Sequence, residues 1–298
     1  MHYKQLGKSD LRISEIAFGC MSLGADHAVN ARLLHQALDG GINFFDTADL
    51  YDKGANEETV GKAFAGMRDK VIIATKVGNQ WRSDGSGWDW NPSKSYILQA
   101  VEESLRRLQT YFIDLYQLHG GTIDDPIDET IEAFELLRQQ GKIRQYGISS
   151  IRPNVIREYV KRSNIASVML QYSLLDRRPE ETVLDLLQSK GIGVLARGSL
   201  AQGLLAGKPA KPYLGYTSEE VQQMAKTVQT VAGAARPAAE VAVRYTLHHP
   251  AVSAAVLGIR TEEQLGEALQ TGKGASLTTT EIKALQHILQ ANRYEQHR

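Results

Sequence analysis

Short apolar runs recur along the chain, and stretches with helical spacing separate them. The runs are Ile16-Ala17-Phe18-Gly19, Ile42-Asn43-Phe44-Phe45-Asp46, Val71-Ile72-Ile73-Ala74-Thr75-Lys76, Asp114-Leu115-Tyr116-Gln117-Leu118-His119, Tyr146-Gly147-Ile148-Ser149, Ser167-Val168-Met169-Leu170-Gln171, Gly193-Val194-Leu195-Ala196 and Ala255-Val256-Leu257-Gly258. They do not alternate cleanly between apolar and polar, as expected of parallel strands buried on both faces. Between them, Ala31 to Leu38 reads as helix and ends at Gly40-Gly41, and a second helix runs from about Glu57 to Phe64. Ser93 is placed to cap a helix whose inner face carries Ile97, Val101 and Leu108. A further helix holds Ile131, Phe134 and Leu137 and stops at Gly141. The first 14 residues read as a hairpin turning at Gly7-Lys8-Ser9-Asp10. Eight strands in register with eight helices predict an α/β chain of the closed (β/α)8 TIM-barrel class, one domain over residues 1–298, with an N-terminal β-hairpin. Two loops stand out: Gly78 to Pro92, with Trp81, Trp88 and Trp90, and Lys208 to Thr217, with two prolines and one glycine.

Composition narrows the function classes. Apolar residues make up 42% of the 298, enough for a sizeable core. Lys plus Arg and Asp plus Glu both number 34, and no basic stripe is visible, so a nucleic-acid partner is not expected. A single cysteine, Cys20, cannot form an internal disulfide, which suits a reducing cytoplasm. The stretch Met1-His2-Tyr3-Lys4-Gln5 opens no long apolar segment, and no 18-residue apolar run exists. The expectation is therefore a cytoplasmic protein without signal peptide, transmembrane helix or membrane partner.

The chemistry gathers at the strand ends. In a barrel the active site lies at the C-terminal ends of the strands. Asp46, Lys76 and His119 each end an apolar run, and Tyr51 lies five residues past Asp46. If the three runs are neighbouring parallel strands, about 5 Å apart, the four side chains can converge. A phenol with its ordinary pKa near 10 is a poor acid at neutral pH. An adjacent ammonium favours the phenolate and is expected to lower that pKa. Asp46 would hold Lys76 charged and oriented, and His119 would donate a hydrogen bond to a carbonyl oxygen or help relay the proton. Such a set protonates a carbonyl oxygen while a hydride attacks its carbon. Taken singly, each residue has an ordinary structural reading: a solvated Asp or Lys, a packed His, a surface Tyr. Their conjunction at three consecutive strand ends gives the chemical reading its weight.

The stretch Gly41-Ile42-Asn43-Phe44-Phe45-Asp46-Thr47-Ala48-Asp49-Leu50-Tyr51 resembles the signature of the aldo-keto reductase superfamily. So do Ile73 to Gly78, Asp114 to His119 and Gly141 to Ser149. The resemblance runs from the N-terminal hairpin to Glu267 and is closest to the bacterial branch that also resembles potassium-channel β subunits. It implies a (β/α)8 barrel, NADPH/NADP⁺ as cofactor, a small-molecule carbonyl substrate, and catalytic roles for Asp46, Tyr51, Lys76 and His119. It also implies that Ser149, Ser150 and Gln171 hold the nicotinamide carboxamide. By the same resemblance, Ser199, Leu200 and Gly203 form the pyrophosphate loop, and Gly258, Arg260, Gln264 and Glu267 surround the adenosine and its 2′-phosphate. A guanidinium suits a phosphate dianion through paired charged hydrogen bonds. Three positions depart from the family pattern. Asp52 follows the tyrosine where glycine is usual. Arg197 stands where an aromatic often stacks on the nicotinamide. Ala268 replaces a common asparagine.

Other signals point elsewhere and are set aside. Gly191-Ile192-Gly193-Val194-Leu195-Ala196 spells G-x-G-x-x-A, but a helix precedes it and the strand is the motif itself, the reverse of a dinucleotide fingerprint. These glycines are expected to make a helix-to-strand turn. His248-His249 lies on the approach to the eighth strand, the wrong end for a barrel site, and suggests no third ligand. Metal-dependent hydrolysis is therefore disfavoured, and no metal ligands are assigned. The tryptophan loop offers a possible substrate wall. The leading reading is an NADPH-dependent reductase of aldehydes or ketones with Tyr51 as general acid. The alternative is an NADPH-binding sensor with slow or vestigial chemistry.

Overall fold

The structure is a computed structural model that describes residues 1–298. The chain opens with an antiparallel hairpin, β1 (Tyr3–Gln5) and β2 (Arg12–Ser14). At its turn Gly7 has φ +56°, and a Cβ there would stand 2.7 Å from the carbonyl of Ala166, so only glycine fits. Strands β3 (Ile16–Gly19), β4 (Phe44–Asp46) and β5 (Ile72–Val77) follow. A second antiparallel hairpin comes next, β6 (Asn79–Trp81) and β7 (Trp88–Trp90). The remaining strands are β8 (Ile113–Leu118), β9 (Ile143–Ser149), β10 (Ser167–Gln171), β11 (Gly193–Arg197) and β12 (Val252–Gly258). The eight strands outside the hairpins close into a parallel barrel in chain order, with β12 pairing back onto β3. This is the (β/α)8 architecture that the apolar pattern predicts, with the N-terminal hairpin in its expected place.

Ten helices surround it: α1 (His27–Asp39), α2 (Ala55–Ala63), α3 (Lys94–Leu108), α4 (Ile127–Gln139), α5 (Pro153–Arg162), α6 (Val183–Lys190), α7 (Ser218–Ala232), α8 (Ala238–His248), α9 (Glu262–Thr271) and α10 (Thr279–Gln286). Two more are present than the eight expected. α8 lies against β12 and α9, whereas α7 packs on α8 and α10 from outside. Ser93 caps α3 by accepting from the Tyr96 amide, as its position predicts. Gly191 ends α6 with φ +63°, the helix-to-strand turn foreseen for it.

The core has two layers. Inside the barrel, Ala17, Phe44, Ala74, Leu115, Met169, Leu195 and Ala254 pack together, and Leu6, Leu11 and Ile13 of the first hairpin join them. The hairpin is thus a plug, and each of its three side chains, fully or almost fully buried, contributes about 1.5–3 kcal/mol. The second layer lies between strands and helices and takes the alternate residues: Ile16, Phe18, Phe45, Ile73, Tyr116 and Val194. That two-sided burial is why the strands read as continuous apolar runs.

Candidate active site

Side chains return to the same face of a strand every second residue. Phe44, Ala74 and Leu115 point into the barrel. Asp46, Lys76 and Gln117, each two residues further on, therefore share the inner face near the C-terminal rim, and His119 follows just past β8. The same step carries Met169 to Gln171 and Leu195 to Arg197. Register supports the grouping: Lys76 pairs with Gln117, and Gln171 with Arg197.

Lys76 is 1% exposed and Asp46 4%. Lys76 Nζ donates to Asp46 Oδ2 at 2.6 Å, to the Thr47 carbonyl at 2.8 Å and to Tyr51 Oη at 3.3 Å. Gln117 Nε2 donates to the other Asp46 oxygen at 3.3 Å. Tyr51 and His119 meet edge to face, with centroids 5.8 Å apart. The four residues thus converge as their strand ends predict. Burial pulls the Lys76 ammonium down, but Asp46 and Tyr51 beside it outweigh burial and hold it above its ordinary range. The expected lowering of the Tyr51 pKa is not what the structure gives. Burial dominates and raises it, with Lys76 opposing and Asp46 reinforcing. Burial, then the Lys76 and Arg197 charges, push His119 down to about 3, so its ring is neutral near pH 7.

The backbone after Tyr51 is bent tightly. Asp52 and Lys53 have φ 49° and 54°, and Gly54 has φ 90°. The glycine usual after the tyrosine would adopt such a conformation freely; Asp52 adopts it at a cost of order 1–3 kcal/mol. The second hairpin holds this turn down: Trp81 Nε1 donates to the Leu50 carbonyl at 3.3 Å, and Lys53 Nζ lies 5.1 Å from the Trp81 ring centre. Trp90 Nε1 donates to Asp125 at 3.0 Å, and its ring fills the space beside Gly78 and Gly120. Trp88 is 47% exposed. No tryptophan lines the cavity that holds the four residues, so the loop is a brace and not a wall of that cavity.

That cavity has a volume of about 720 Å³ and opens onto Asp46, Tyr51, Lys76 and His119. Ser149, Ser150, Arg197 and Gly258 also line it. A second cavity of about 400 Å³ is lined by Leu200, Gly203, Gly258, Gln264, Glu267 and Ala268 among others. Gln202 and Gly258 border both, which makes one continuous groove. Gln171 lies at its edge, accepting from Arg197 at 3.2 Å and donating to Tyr213 Oη at 3.1 Å. Ser199 is 2% exposed and its hydroxyl has no partner. Arg260 is exposed, with Nε on the Ser22 carbonyl at 3.1 Å and its amide on Gln264 Oε1 at 2.8 Å. The groove fits a dinucleotide. It pairs a polar-lined chamber with a second chamber; beside it, the orphaned Ser199 hydroxyl follows Gly198 of the first, and Arg260 is bonded to Gln264 of the second and pairs with no carboxylate. A Cβ on Gly258 would lie 2.7 Å from Ser22 Oγ, so the groove wall there is bare backbone. Sequence reasoning missed Gln117 and Arg152, which also lines the larger cavity; a glutamine inside an apolar strand was the available signal for the first.

Similarity to known proteins bears on this geometry. A model described as the aldo/keto reductase family matches residues 15–290. The uncharacterized oxidoreductase YqkF of Bacillus subtilis is 51% identical over 307 aligned positions, covering 100% of both chains. An aldo-keto reductase of Bacillus halodurans, solved in its holo form, superposes with TM-score 0.94 at 52% identity over 100% of this chain and 99% of that one. An NADH-specific methylglyoxal reductase of Escherichia coli is 33% identical over 70% of each chain. The family match begins just before β3 and runs past α10, and a relative covered end to end shares half its residues; the chain belongs to the aldo/keto reductase family of oxidoreductases.

Proposed function

We propose that this chain reduces aldehydes or ketones to alcohols with NADPH, and that Tyr51 is the general acid. The observation that carries the reading is the hydrogen-bonded line Asp46–Lys76–Tyr51, all three residues of which line the cavity at the C-terminal rim. Asp46 fixes the Lys76 ammonium, and Lys76 aims one proton at Tyr51 Oη. Its charge stabilises the phenolate left when Tyr51 gives its proton to the substrate oxygen. The neutral His119 offers a ring N–H to that oxygen and orients the carbonyl. Both groups act in a buried site, where oriented dipoles count for more than in water. Ser149, Ser150 and Gln171 would hold the nicotinamide carboxamide, and Ser199, Leu200 and Gly203 the pyrophosphate. Gly258, Arg260, Gln264 and Glu267 would hold the adenosine end. When bound, the dihydronicotinamide supplies the hydride.

The test is steady-state turnover of a panel of aldehydes and ketones with NADPH, beside fluorescence titration of NADPH. Turnover on the panel supports the reading. Tight NADPH binding without turnover would replace it by the sensor alternative.

A further inference from the structure

Seven arginines are buried or half-buried: Arg68, Arg107, Arg152, Arg177, Arg178, Arg236 and Arg244. Six of them form an ion pair with a carboxylate. The exception is Arg152, in the loop after β9, and it is the one that lines the Tyr51 cavity. One of its terminal nitrogens donates to the Gly121 carbonyl, which fixes the plane of the group. No other side-chain hydrogen bond engages it. The nearby carboxylate of Asp125 is occupied by Trp90 and Thr122. Asp46 is the only acid lining the cavity, and Lys76 neutralises it at 2.6 Å. Arg152 and Arg197 therefore leave the chamber with uncompensated positive charge.

A desolvated guanidinium without a partner is costly, and a guanidinium with free N–H groups matches a carboxylate or phosphate. The two arginines sit on different sides. Arg197, on β11, is tied to Gln171 and precedes Ser199–Gly203. Arg152 follows Ser150, two strands away from β11 around the barrel. Ile151 beside it is apolar, and Met21, Leu50 and Met169 are apolar elsewhere in the cavity lining. We infer that Arg152 determines substrate specificity: it receives the anionic group, a carboxylate or a phosphate, of a carbonyl substrate whose oxygen lies at Tyr51. This deepens the reductase reading and rests on it.

The experiment compares two matched pairs with NADPH: 4-carboxybenzaldehyde against its neutral isostere 4-formylbenzamide, and glyceraldehyde 3-phosphate against glyceraldehyde. Each is run on wild type, Arg152→Met and Arg152→Lys. Wild type should favour the anionic member of at least one pair, and which pair responds separates carboxylate from phosphate. Arg152→Met should lower kcat/KM for that anionic substrate by about ten- to a hundredfold, mainly through KM, the range of one charged hydrogen bond. The neutral partner should stay within about twofold, NADPH affinity should not move, and Arg152→Lys should restore part of the loss. Equal losses on both members would make Arg152 only a lock on the Gly121 loop. Weakened NADPH binding would mean that its anion belongs to the cofactor, and indifference to charge in wild type would also overturn the assignment. If no carbonyl turns over, the reductase reading fails separately. Calorimetric titration of the NADPH complex with benzoate and benzamide then decides for Arg152: benzoate binding lost in Arg152→Met supports it, and equal binding of both compounds overturns it.

Discussion

The two chambers of the groove are built in opposite ways. Around Tyr51 the Asp46–Lys76 pair is already satisfied, Asp46 by Lys76 and Gln117 and Lys76 by three acceptors, while His119 Nδ1 and Gln117 Oε1 have no partner. These residues stand on or beside barrel strands, and their neighbours in the barrel interior are fully or almost fully buried. Around Gly258 the polar groups are exposed, sit on loops and the first turns of α9, and lack charged partners. The first chamber is organised before any ligand arrives; the second gains its order from the ligand. Substitutions in the Asp46–Lys76–Tyr51 line should therefore change rate at constant NADPH affinity, and substitutions in the second chamber NADPH affinity at constant rate.

The largest effect expected of that contrast is at Tyr51. Tyr51→Phe removes the proton and keeps the ring that meets His119 edge to face. Carbonyl reduction should fall by about a hundred- to ten-thousandfold, with NADPH affinity nearly unchanged. Initial rates and fluorescence titration measure both. A variant that keeps a tenth of the wild-type rate would remove Tyr51 from its role.

Arg260, bonded to Gln264 of the second chamber, is the counterpart there. Arg260→Ala should cost about ten- to a hundredfold in NADPH affinity, the value of one charged contact, and leave NADH affinity alone. Lys208, Glu263 and Glu267 line that chamber, and Arg260 stands beside it through its amide bond to Gln264, so in the preference for a 2′-phosphate Arg260 adds a second cation against the two carboxylates. Dissociation constants for both cofactors settle it: if the preference outlasts Arg260, the phosphate is held elsewhere.

The same contrast explains what the sequence disclosed. The barrel was legible because strands buried on both faces leave unbroken apolar runs, and the four side chains were legible because three of them end such runs. Two-residue periodicity would also have found Gln117, two positions past Leu115. The extra helices α7 and α10 were not separable from barrel helices, because each buries one apolar face in the same way, Val221, Met224 and Val228 in α7 and Ile282 and Leu285 in α10. The β6–β7 hairpin read as a loop because strands of three residues, facing solvent on one side, carry little pattern. The raised Tyr51 pKa was out of reach for a different reason: residue types reveal the neighbouring charge, whereas depth of burial is a property of the whole fold.

Arg197 lines the first chamber, and its effect should be smaller. Its charge reaches the first chamber, where it lowers the pKa of both Tyr51 and His119. Oxidised nicotinamide is cationic and reduced nicotinamide is neutral, so a guanidinium beside the ring disfavours the oxidised form. At about 4 Å the repulsion is about 1 kcal/mol in water-like surroundings and about 4 kcal/mol near a protein surface. Arg197 is exposed, which favours the lower figure, about fivefold in affinity. In Arg197→Tyr, NADP⁺ should gain affinity more than NADPH does. An unchanged ratio of the two dissociation constants would place the guanidinium away from the ring.

The smallest expected effect is a flat pH profile, and it bears most directly on how the first chamber works. A histidine with its ordinary pKa near 6.5 would pass from mostly charged to almost wholly neutral between pH 6 and 8. A rate that needed the neutral ring would then rise about fourfold, and one that needed the charged ring would fall more than tenfold. His119 is held near 3 by burial and by the Lys76 and Arg197 charges. A base with a depressed pKa is neutral at every pH above it, so the ring does not titrate across this span. Tyr51, raised by burial, stays protonated across it as well. Single-turnover reduction, which isolates the chemical step from product release, should therefore vary by less than about twofold from pH 6 to 8. A titration within that span that disappears in His119→Gln would show the imidazole taking up and losing a proton during turnover, and the chamber would then work by relay through His119 rather than by donation from Tyr51 alone.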